Sequence, residues 1–317
     1  MDSKVPQLWK QAKPENLEIF NSRKRWKIIA DGSMILAMKT YQITPDGARE
    51  LALTATTLDE VSHQLPQGLY TTFRTYSGGT RVLGLQAHLD RLYQPSIVQG
   101  VTPEVSETEL RNFLAETCSR TGGESRLRLT LGVSDSPGAV FVTIQPFTPL
   151  GAEIYQQGVR VVSAETARRT PRLKSTAFIE ASADLRKLVR DDIFEVLLCR
   201  NGSVLEGMTS NFYVIQAGAL ITSRSGILLG VTRRTLIRLA RKAGLEVEYC
   251  APDLDEPFSE AFLTSSSRGV VPIVAINGKL VGEGKVGAWT KTLIAAYNAY
   301  VEKYSQEIQF RENGRRQ

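Results

Sequence analysis

Two prolines and a glycine fall within seven residues near the middle of the chain, in the segment Gln145 to Gly151 (QPFTPLG). Proline fixes the backbone and removes an amide donor, so this segment interrupts regular structure. Strand-like runs with turn signals lie on both sides of it, and a chain of 317 residues suits two modest domains. We therefore predict an α/β (α+β) fold with a smaller domain over residues 1–147 and a larger domain over residues 148–317.

The N-terminal half contains signals for hairpins and for two helices. The run from Gly68 to Tyr76 alternates as a strand does, Gly78-Gly79 turns the chain, and a helical run follows from Gln86 to Leu92. Farther on, the Ser-Glu-Thr-Glu sequence that begins at Ser106 is a capping box, which predicts the start of a second helix. Gly122-Gly123 predicts the end of that helix.

The C-terminal half is predicted to contain two hairpins and a strongly amphipathic helix. Asn201-Gly202 and Ala217-Gly218 are hairpin turn signals between apolar runs. Apolar residues with helical spacing predict a helix from Val231 to Ala243, with Thr232 as a plausible N-cap. The apolar, Ala-rich segment that follows Lys174, up to Leu185, is also predicted to be helical.

Charge and cysteine content restrict the kind of partner and the compartment. The net charge of +6 and the pI of about 9.2 favour anionic partners, among which phosphorylated or carboxylate small molecules fit as well as nucleic acid does. Cys118, Cys199 and Cys250 are far apart in sequence and form no CxxC motif, which suits reduced thiols and no zinc or other metal site. No apolar run resembles a secretion signal or a membrane span, so we expect a cytoplasmic protein without a membrane partner.

Four short stretches contain residue types suited to chemistry on an anionic ligand. Lys174 follows a proline-interrupted run, although one lysine among 39 Lys and Arg residues means little alone. Glu206 comes at the end of a hairpin strand and is either a solvated carboxylate or a partner for a ring nitrogen. The stretch from Leu229 to Arg233 is either an ordinary helix start or a phosphate seat. The hydroxyls from Thr264 to Ser267 form either a polar surface turn or a set of donors for a ligand.

Together these stretches resemble the class IV (fold type IV) pyridoxal-phosphate-dependent aminotransferases, which include branched-chain and D-amino-acid transaminases and aminodeoxychorismate lyase. Five motifs occur in the family's order: HLDRL at 88–92, LKS at 173–175, EGMTSN at 206–211, LGVTR at 229–233, and FLTSSS at 262–267 followed by VPI at 271–273. Five ordered motifs are far more specific than any one of them.

The resemblance implies a two-domain fold type IV enzyme with pyridoxal 5'-phosphate as cofactor and a shared active site in a homodimer. It implies that Lys174 forms the Schiff base and that Glu206 pairs with the pyridine nitrogen. It further implies that four residues hold the phosphate: Arg91, Val231, Thr232 and Ser266. Ser267 would lie beside the substrate carboxylate, and Tyr70 stands where the family has an aromatic residue near the substrate.

Substrate selection is less well defined by these motifs. Thr71 replaces a glutamate of the family pattern, and Ile179 stands where branched-chain transaminases have a tyrosine, as an aliphatic residue does in the D-amino-acid and lyase branches. We predict amino transfer between an amino acid, branched-chain-like or D, and a 2-oxo acid. The alternative within the family is aminodeoxychorismate lyase, and the alternative from another class is a basic nucleic-acid-binding protein that uses the helix 232–242.

A substrate carboxylate requires a charge-assisted partner, and arginine is the usual one. Five arginines are placed to serve: Arg74, Arg126, Arg128, Arg172 and Arg268. Arg126 and Arg128 alternate with leucines, so both point to the same face of their predicted strand. That face either lies in water or borders an anion, and we predict that at least one of the pair binds the substrate.

Overall fold

The computed structural model describes residues 18–21, 24–28, 34–36 and 38–309. Its first strands are β1 (Glu18–Asn21), β2 (Lys24–Ile28) and β3 (Met34–Leu36), which form a three-stranded antiparallel sheet.

Two larger sheets with their helices make up the remainder of the described chain. Before the Pro-rich segment come β4 (Lys39–Thr44), β5 (Gly47–Leu51), α1 (Leu58–Gln64), β6 (Gly68–Tyr76), β7 (Arg81–Val82), α2 (Leu85–Val98), α3 (Glu107–Thr121), β8 (Ser125–Gly132) and β9 (Val140–Pro146). After it come α4 (Ala152–Gln157), β10 (Val159–Glu165), α5 (Ala177–Ala181), α6 (Ala183–Arg186), β11 (Ile193–Arg200), β12 (Ser203–Gly207), β13 (Asn211–Gln216), β14 (Ala219–Ile221), α7 (Val231–Lys242), β15 (Glu246–Glu248), β16 (Glu260–Ser265), β17 (Gly269–Ile276), β18 (Lys279–Leu280), α8 (Ala288–Tyr304) and β19 (Gln306–Glu307).

The sheet of the N-terminal half has seven strands in the order β19-β7-β6-β8-β9-β4-β5, and its pairs are antiparallel. Helices α2 and α3 cover one face of it. Leu89 and Leu110 from these helices pack with Leu127 and Leu129 of β8 in a core from which water is excluded. Because side chains alternate along a strand, Arg126 and Arg128, which alternate with these leucines, must project from the opposite face.

The sheet of the C-terminal half has nine strands, in the order β12-β11-β10-β17-β16-β13-β14-β15 with β18 added beside β17. It is mixed, since β10 pairs in parallel with both β11 and β17. Helices α7 and α8 pack on one face through Leu236 and Leu293, which contact Tyr213 and Phe262 of the sheet. The start of α7 and the ends of β12 and β16 are thereby held at fixed positions.

The final strand, β19, returns to the sheet of the N-terminal half. It pairs with β7, and Ile308 is buried in the core that contains Leu89 and Leu110. The Ile308 amide also donates to Thr80 O at 3.1 Å. Apart from β19, the strands of the two larger sheets therefore fall on opposite sides of the Pro-rich segment. The division into domains 1–147 and 148–317 stays a prediction.

Several local predictions are confirmed. The capping box is present, with the Ser106 amide donating to Glu109 Oε2 at 2.8 Å, and α3 ends at Gly122 in the left-handed conformation (φ 72°). The hairpin turns at 201–202 and 217–218 are also present between β11 and β12 and between β13 and β14. The predicted helix after Lys174 is instead two short helices broken at Ser182, whose hydroxyl donates to Phe178 O at 2.5 Å.

The described residues contain neither a membrane-spanning helix nor a cluster of metal-ligating side chains. No helix in residues 38–309 is long and apolar enough to span a bilayer. Among the same described residues, no three His, Cys, Asp or Glu side chains lie close enough to hold a metal ion. Cys118 and Cys199 are buried, Cys250 is exposed, and all three are free thiols.

Candidate active site

A cavity of about 340 Å³ lies between β6 and β8 on one side and the ends of β12 and β16 and the start of α7 on the other. All ten residues predicted for the site line it: Tyr70, Arg91, Arg126, Arg128, Lys174, Glu206, Val231, Thr232, Ser266 and Ser267. Nearly 200 residues separate the first of them from the last, so the fold brings together motifs that are distant in sequence. Their individual roles stay predictions.

Lys174 is positioned by a loop that extends the edge of β6. The Tyr70 amide donates to Lys174 O at 2.8 Å, and the Thr176 amide donates to Gly68 O at 2.9 Å. The Gly68 amide in turn donates to Thr176 Oγ1 at 2.9 Å. With its backbone held on both sides, Lys174 directs its amine into the cavity, where Nζ lies 4.7 Å from the centroid of the Tyr70 ring.

The environment of Lys174 favours the neutral amine. Burial lowers the pKa of Lys174 to about 8, and the cations Arg168, Arg91 and Arg128 contribute in the same direction against an opposing effect of Tyr70. At neutral pH a minor fraction of the Lys174 amine is therefore unprotonated, and this fraction can act as a nucleophile.

Cations of the cavity also act on the phenol of Tyr70. Burial by itself raises the pKa of Tyr70, but Lys174, Arg128 and Arg168 together lower it below its ordinary value. A fully buried tyrosine with a lowered pKa indicates a strongly positive potential in this part of the cavity.

Glu206 is held by two donors at one wall of the cavity. Its Oε1 accepts from Arg168 Nε at 2.8 Å, and its Oε2 accepts from the Leu228 amide at 3.0 Å. Burial raises the pKa of Glu206, while Arg168 and the Leu228 amide oppose that rise. The pairing fixes both oxygens of the carboxylate and stabilises its charged form.

Arg168 is a site residue that the sequence did not reveal. Its guanidinium donates to Met208 O at 2.7 Å and lies 3.6 Å from the centroid of the Phe178 ring. Within the described part of the chain, its buried Nη1 has no hydrogen-bond partner. No local pattern distinguishes it from Arg169 or Arg172, since its role depends on a carboxylate 38 residues away.

The start of α7, the predicted phosphate seat, lies at the other end of the cavity. The N-cap residue is Gly230, in an extended conformation and without a capping side chain, so the first amides of the helix are available to a ligand. The prediction of Thr232 as N-cap is wrong, because Thr232 is the second residue of the helix and its hydroxyl lies 3.4 Å from Ser266 Oγ. Arg91 reaches the same seat from α2 and donates to Leu229 O.

Gly230 is required by close packing at this seat. A Cβ on Gly230 would lie 2.1 Å from Asn211 Oδ1, well inside van der Waals contact. Asn211 is itself fixed, since its Nδ2 donates to Leu228 O at 2.8 Å. The backbone at Gly230 therefore packs directly against Asn211 of the sheet, and the space in front of the first amides of α7 stays open.

His88 of α2 is buried against β6 and is neutral. Its Nδ1 is 2.7 Å from the hydroxyl of Thr71, the residue that replaces a glutamate of the family pattern. Burial lowers the pKa of His88 well below its ordinary value, and the nearby charges of Arg91 and Lys174 add to that effect. The neutral Thr-His pair is buried between β6 and α2, and neither residue lines the cavity.

A family model described as amino-transferase class IV matches residues 68–276, which contain all ten predicted site residues. The protein belongs to this family. The prediction of an aminotransferase therefore holds over the alternative of a nucleic-acid-binding protein. Helix α7, the proposed nucleic-acid contact, uses its apolar side in the core, and its Arg233 is buried with Nη2 donating to Ser223 O at 2.6 Å.

Proteins with a similar sequence are D-alanine and branched-chain-amino-acid aminotransferases. The chain is 30% identical over 257 residues to the D-alanine aminotransferase of Bacillus licheniformis, which covers 76% of this chain and 90% of the relative. It is 26% identical over 253 residues to the branched-chain-amino-acid aminotransferase of Pseudomonas aeruginosa, which covers 73% and 82%. The prediction of an aminotransferase is thus confirmed over the lyase alternative.

Solved structures confirm the fold. A branched-chain amino acid aminotransferase from T.th., solved with pyridoxamine 5'-phosphate, superposes with a TM-score of 0.72. That match is 20% identical in sequence and covers 86% of this chain and 98% of the other. The predicted fold type IV architecture is the one found.

Proposed function

We propose that this class IV aminotransferase uses pyridoxal 5'-phosphate to move an amino group between an amino acid and a 2-oxo acid. The observation that carries the proposal is the position of Lys174. Among the described residues it is the one lysine that lines the cavity, and the same cavity contains the predicted phosphate seat of α7 and the buried carboxylate of Glu206.

The residues present fit the cofactor in charge and in shape. Around Lys174, the cations Arg91 and Arg168 and the lysine amine itself bring three potential positive charges against the single carboxylate of Glu206. The difference of two matches a phosphate group, which carries about −1.5 to −2 near neutral pH. A cavity of about 340 Å³ is also within the range of small-molecule sites, roughly 300 to 1,000 Å³.

The groups that line the cavity then divide the work. The helical amides of Val231 and Thr232, the hydroxyl of Ser266 and the guanidinium of Arg91 would hold the phosphate. Lys174 has two tasks: it would hold the cofactor covalently until the substrate displaces it, and its freed amine would then move the α-proton of the substrate. Glu206 would keep a proton on the ring nitrogen. The bound cofactor supplies the electron sink for the charge left by that proton.

For the substrate α-carboxylate, the contacts favour Arg126 over Arg128. Arg128 Nη1 donates to Leu58 O at 2.8 Å, to Asp59 Oδ1 at 2.8 Å and to Ser62 Oγ at 2.7 Å, so it binds α1 to the sheet. Arg126 forms no ion pair within the described residues, and its buried Nε has no partner there. Burial and the neighbouring cations Arg268 and Arg128 lower the pKa of Arg126 to about 10, and a bound carboxylate would relieve that unfavourable environment.

Replacing Arg126 by leucine should therefore raise the KM for the amino acid about 10- to 100-fold, the effect of losing one charge-assisted contact. Replacing Arg128 by leucine should instead lower the melting temperature, because the carbonyl, carboxylate and hydroxyl of α1 lose their donor. Steady-state kinetics and thermal unfolding of both variants separate the two roles. An unchanged KM in Arg126→Leu would assign the α-carboxylate to another arginine.

The amino donor is proposed from the relatives, whose names include both D-alanine and branched-chain amino acids. We propose a donor of one of these two kinds, with Tyr70 and Ser267 beside it in the cavity. We also propose that the enzyme is a homodimer, as the family resemblance implies. Cytoplasmic location stays a prediction from the cysteine pattern.

Covalent capture tests the proposal directly. Protein freed of cofactor and mixed with pyridoxal phosphate should turn yellow, and borohydride should fix the cofactor to the peptide that contains Lys174, as read by mass spectrometry. Because burial lowers the pKa of Lys174 to about 8, the attachment rate should rise as the pH increases towards 8 and then level off. Capture on another lysine, or a rate that still rises tenfold per pH unit up to pH 10, would contradict the proposal.

A further inference from the structure

Tyr297, a tyrosine of α8, lies behind the phosphate seat. Its side chain is 2% exposed, packs in the core with Leu236 and Leu293, and does not line the cavity. Its phenol oxygen is nevertheless hydrogen-bonded to the hydroxyl of Thr232, which does line the cavity at the start of α7. Tyr297 therefore contacts the seat from the side of the protein core.

The ring of Tyr297 also supports the turn that contains Ser266, the second hydroxyl of the seat. This turn joins β16 to β17, and it closes at Gly269, which pairs with Ser265 and has a φ of 67°. A Cβ on Gly269 would lie 3.2 Å from Cε1 of Tyr297, so the backbone of the turn packs directly on the ring. One side chain thus contacts both elements whose hydroxyls would hold the phosphate.

The hydroxyls of Thr232 and Ser266 are bound only weakly to each other. Their oxygens are 3.4 Å apart, which is longer than the separation of about 2.7 to 2.8 Å in a good hydrogen bond between hydroxyls. Both residues line the cavity, so both hydroxyls remain available to a ligand. A hydroxyl hydrogen rotates to suit its partners, and it must point into the seat to donate to an anion.

The phenol of Tyr297 can fix that direction for Thr232. Burial raises the pKa of Tyr297, against the hydrogen bonds from Thr232 and Tyr76, so the phenol keeps its hydrogen at neutral pH. Either hydroxyl can be the donor in the bond between Tyr297 and Thr232. An anion in the seat selects one direction, because it accepts the Thr232 hydrogen and leaves the Thr232 oxygen to accept from Tyr297.

Tyr76, at the end of β6, extends this row of hydroxyls away from the cavity. Burial raises the pKa of Tyr76, and its interactions with Tyr297 add to that rise, as expected for a phenol that donates to Tyr297. Three hydroxyls can therefore donate in one direction, from Tyr76 to Tyr297, from Tyr297 to Thr232, and from Thr232 into the seat. Hydrogen bonds in such a row polarise one another and strengthen the last of them.

We propose that Tyr297 is a positioning residue of the phosphate seat, whose O–H donates to Thr232 Oγ1 and thereby directs the Thr232 hydrogen towards a bound phosphate. This inference rests on the proposed function, since the phosphate is that of the proposed cofactor. It assigns Tyr297 to the affinity for the phosphate group and not to the chemistry at Lys174.

Replacing Tyr297 by phenylalanine removes the hydroxyl and keeps the ring with its packing on Gly269. Cofactor-free protein is titrated with pyridoxal phosphate and with pyridoxal, which lacks the phosphate, and the two Kd values are compared. The ratio of the Kd for pyridoxal to the Kd for pyridoxal phosphate should fall about 3- to 10-fold in Tyr297→Phe, the effect of losing one hydrogen bond. A ratio within twofold of wild type would overturn the proposal, and equal weakening of both compounds gives that result.

Tyr93→Phe is the matched control for a buried tyrosine hydroxyl. Tyr93 donates to Val105 O at 2.8 Å in the core of the N-terminal half and does not line the cavity. That variant should lower the melting temperature and leave the ratio of Kd values unchanged. A similar fall of the ratio in Tyr93→Phe would show that general loosening of the fold is the cause, and the role of Tyr297 would be rejected.

A double variant tests whether Tyr297 acts through Thr232. Thr232→Val keeps the shape of the side chain without the hydroxyl, and Tyr297→Phe is then added to it. Because the hydroxyl on which Tyr297 acts is already absent, the second substitution should change the ratio less than twofold, although it has its full effect in the wild-type background. A further fall of 3- to 10-fold, about the single-variant effect, would contradict the positioning role.

Binding of inorganic phosphate, measured by calorimetry, separates this inference from the proposed function. Tyr297→Phe should weaken the binding of inorganic phosphate about 3- to 10-fold as well. Such weakening in a protein that attaches no pyridoxal phosphate at Lys174 would keep the positioning role and reject the proposed function. Attachment and amino transfer with unchanged phosphate binding in Tyr297→Phe would do the reverse.

Discussion

Replacing Lys174 by alanine abolishes amino transfer, with a loss of at least about 10⁴-fold in kcat, the upper range for a group that acts as general base, because the same amine also anchors the cofactor. The absorbance of the covalently attached cofactor disappears with it. The fold should survive, because the substitution removes a cation whose pKa is already lowered by burial and by three neighbouring arginines.

The measurements are turnover, the absorbance spectrum and the melting temperature, with Lys279→Ala as control. Lys279 is an exposed lysine on β18, and its loss should change none of the three. Turnover near the wild-type rate in Lys174→Ala would reject the proposed function as a whole.

Replacing Glu206 by glutamine should retain bound cofactor and lower kcat about 10²- to 10³-fold, the usual cost of removing one preorganised charge at a reacting centre. The amide keeps the size of the side chain, and its oxygen can still accept from either Arg168 or the Leu228 amide. It cannot hold a proton on the ring nitrogen as a carboxylate does. The loss should therefore appear in kcat more than in KM.

Glu260→Gln is the matched control for a buried carboxylate. Glu260 accepts from the Trp289 amide at 3.0 Å and from the Thr290 amide at 2.7 Å, so it caps α8 far from the cavity. That variant should lower the melting temperature and preserve the rate per folded molecule. If Glu206→Gln instead loses the cofactor while its rate per bound cofactor survives, Glu206 is only a ligand.

Motifs with a local physical meaning could be predicted from the sequence. A glycine before a helix start, hydroxyls at a strand end and a carboxylate after a hairpin each keep their character wherever the fold places them. For that reason the stretches that contain Glu206, Val231, Thr232 and Ser266 could be selected in advance. Lys174 has no such local signal, and its role came from the resemblance to the class IV aminotransferases. All five residues line the same cavity.

The pairings of arginines could not be predicted in this way. Arg126 and Arg128 are equivalent in sequence, and only the position of α1, whose Asp59 pairs with Arg128, distinguishes them. Arg168 is similarly defined by Glu206, and Arg268 by Glu195, 73 residues away. An arginine's role depends on which carboxylate reaches it, and that is a property of the tertiary structure.

The return of β19 to the first sheet has a mechanical consequence for the enzyme. The two sheets that enclose the cavity are joined covalently twice, once through residues 147–151 and once between α8 and β19. A sheet that is joined to its neighbour at two points cannot translate away from it without stretching one of the two connections. It can rotate without straining either connection only about the line that passes through both. Any opening of the cavity is thereby confined to a single hinge axis, with Arg91, Arg126 and Arg128 on one side of it and Glu206 and the start of α7 on the other.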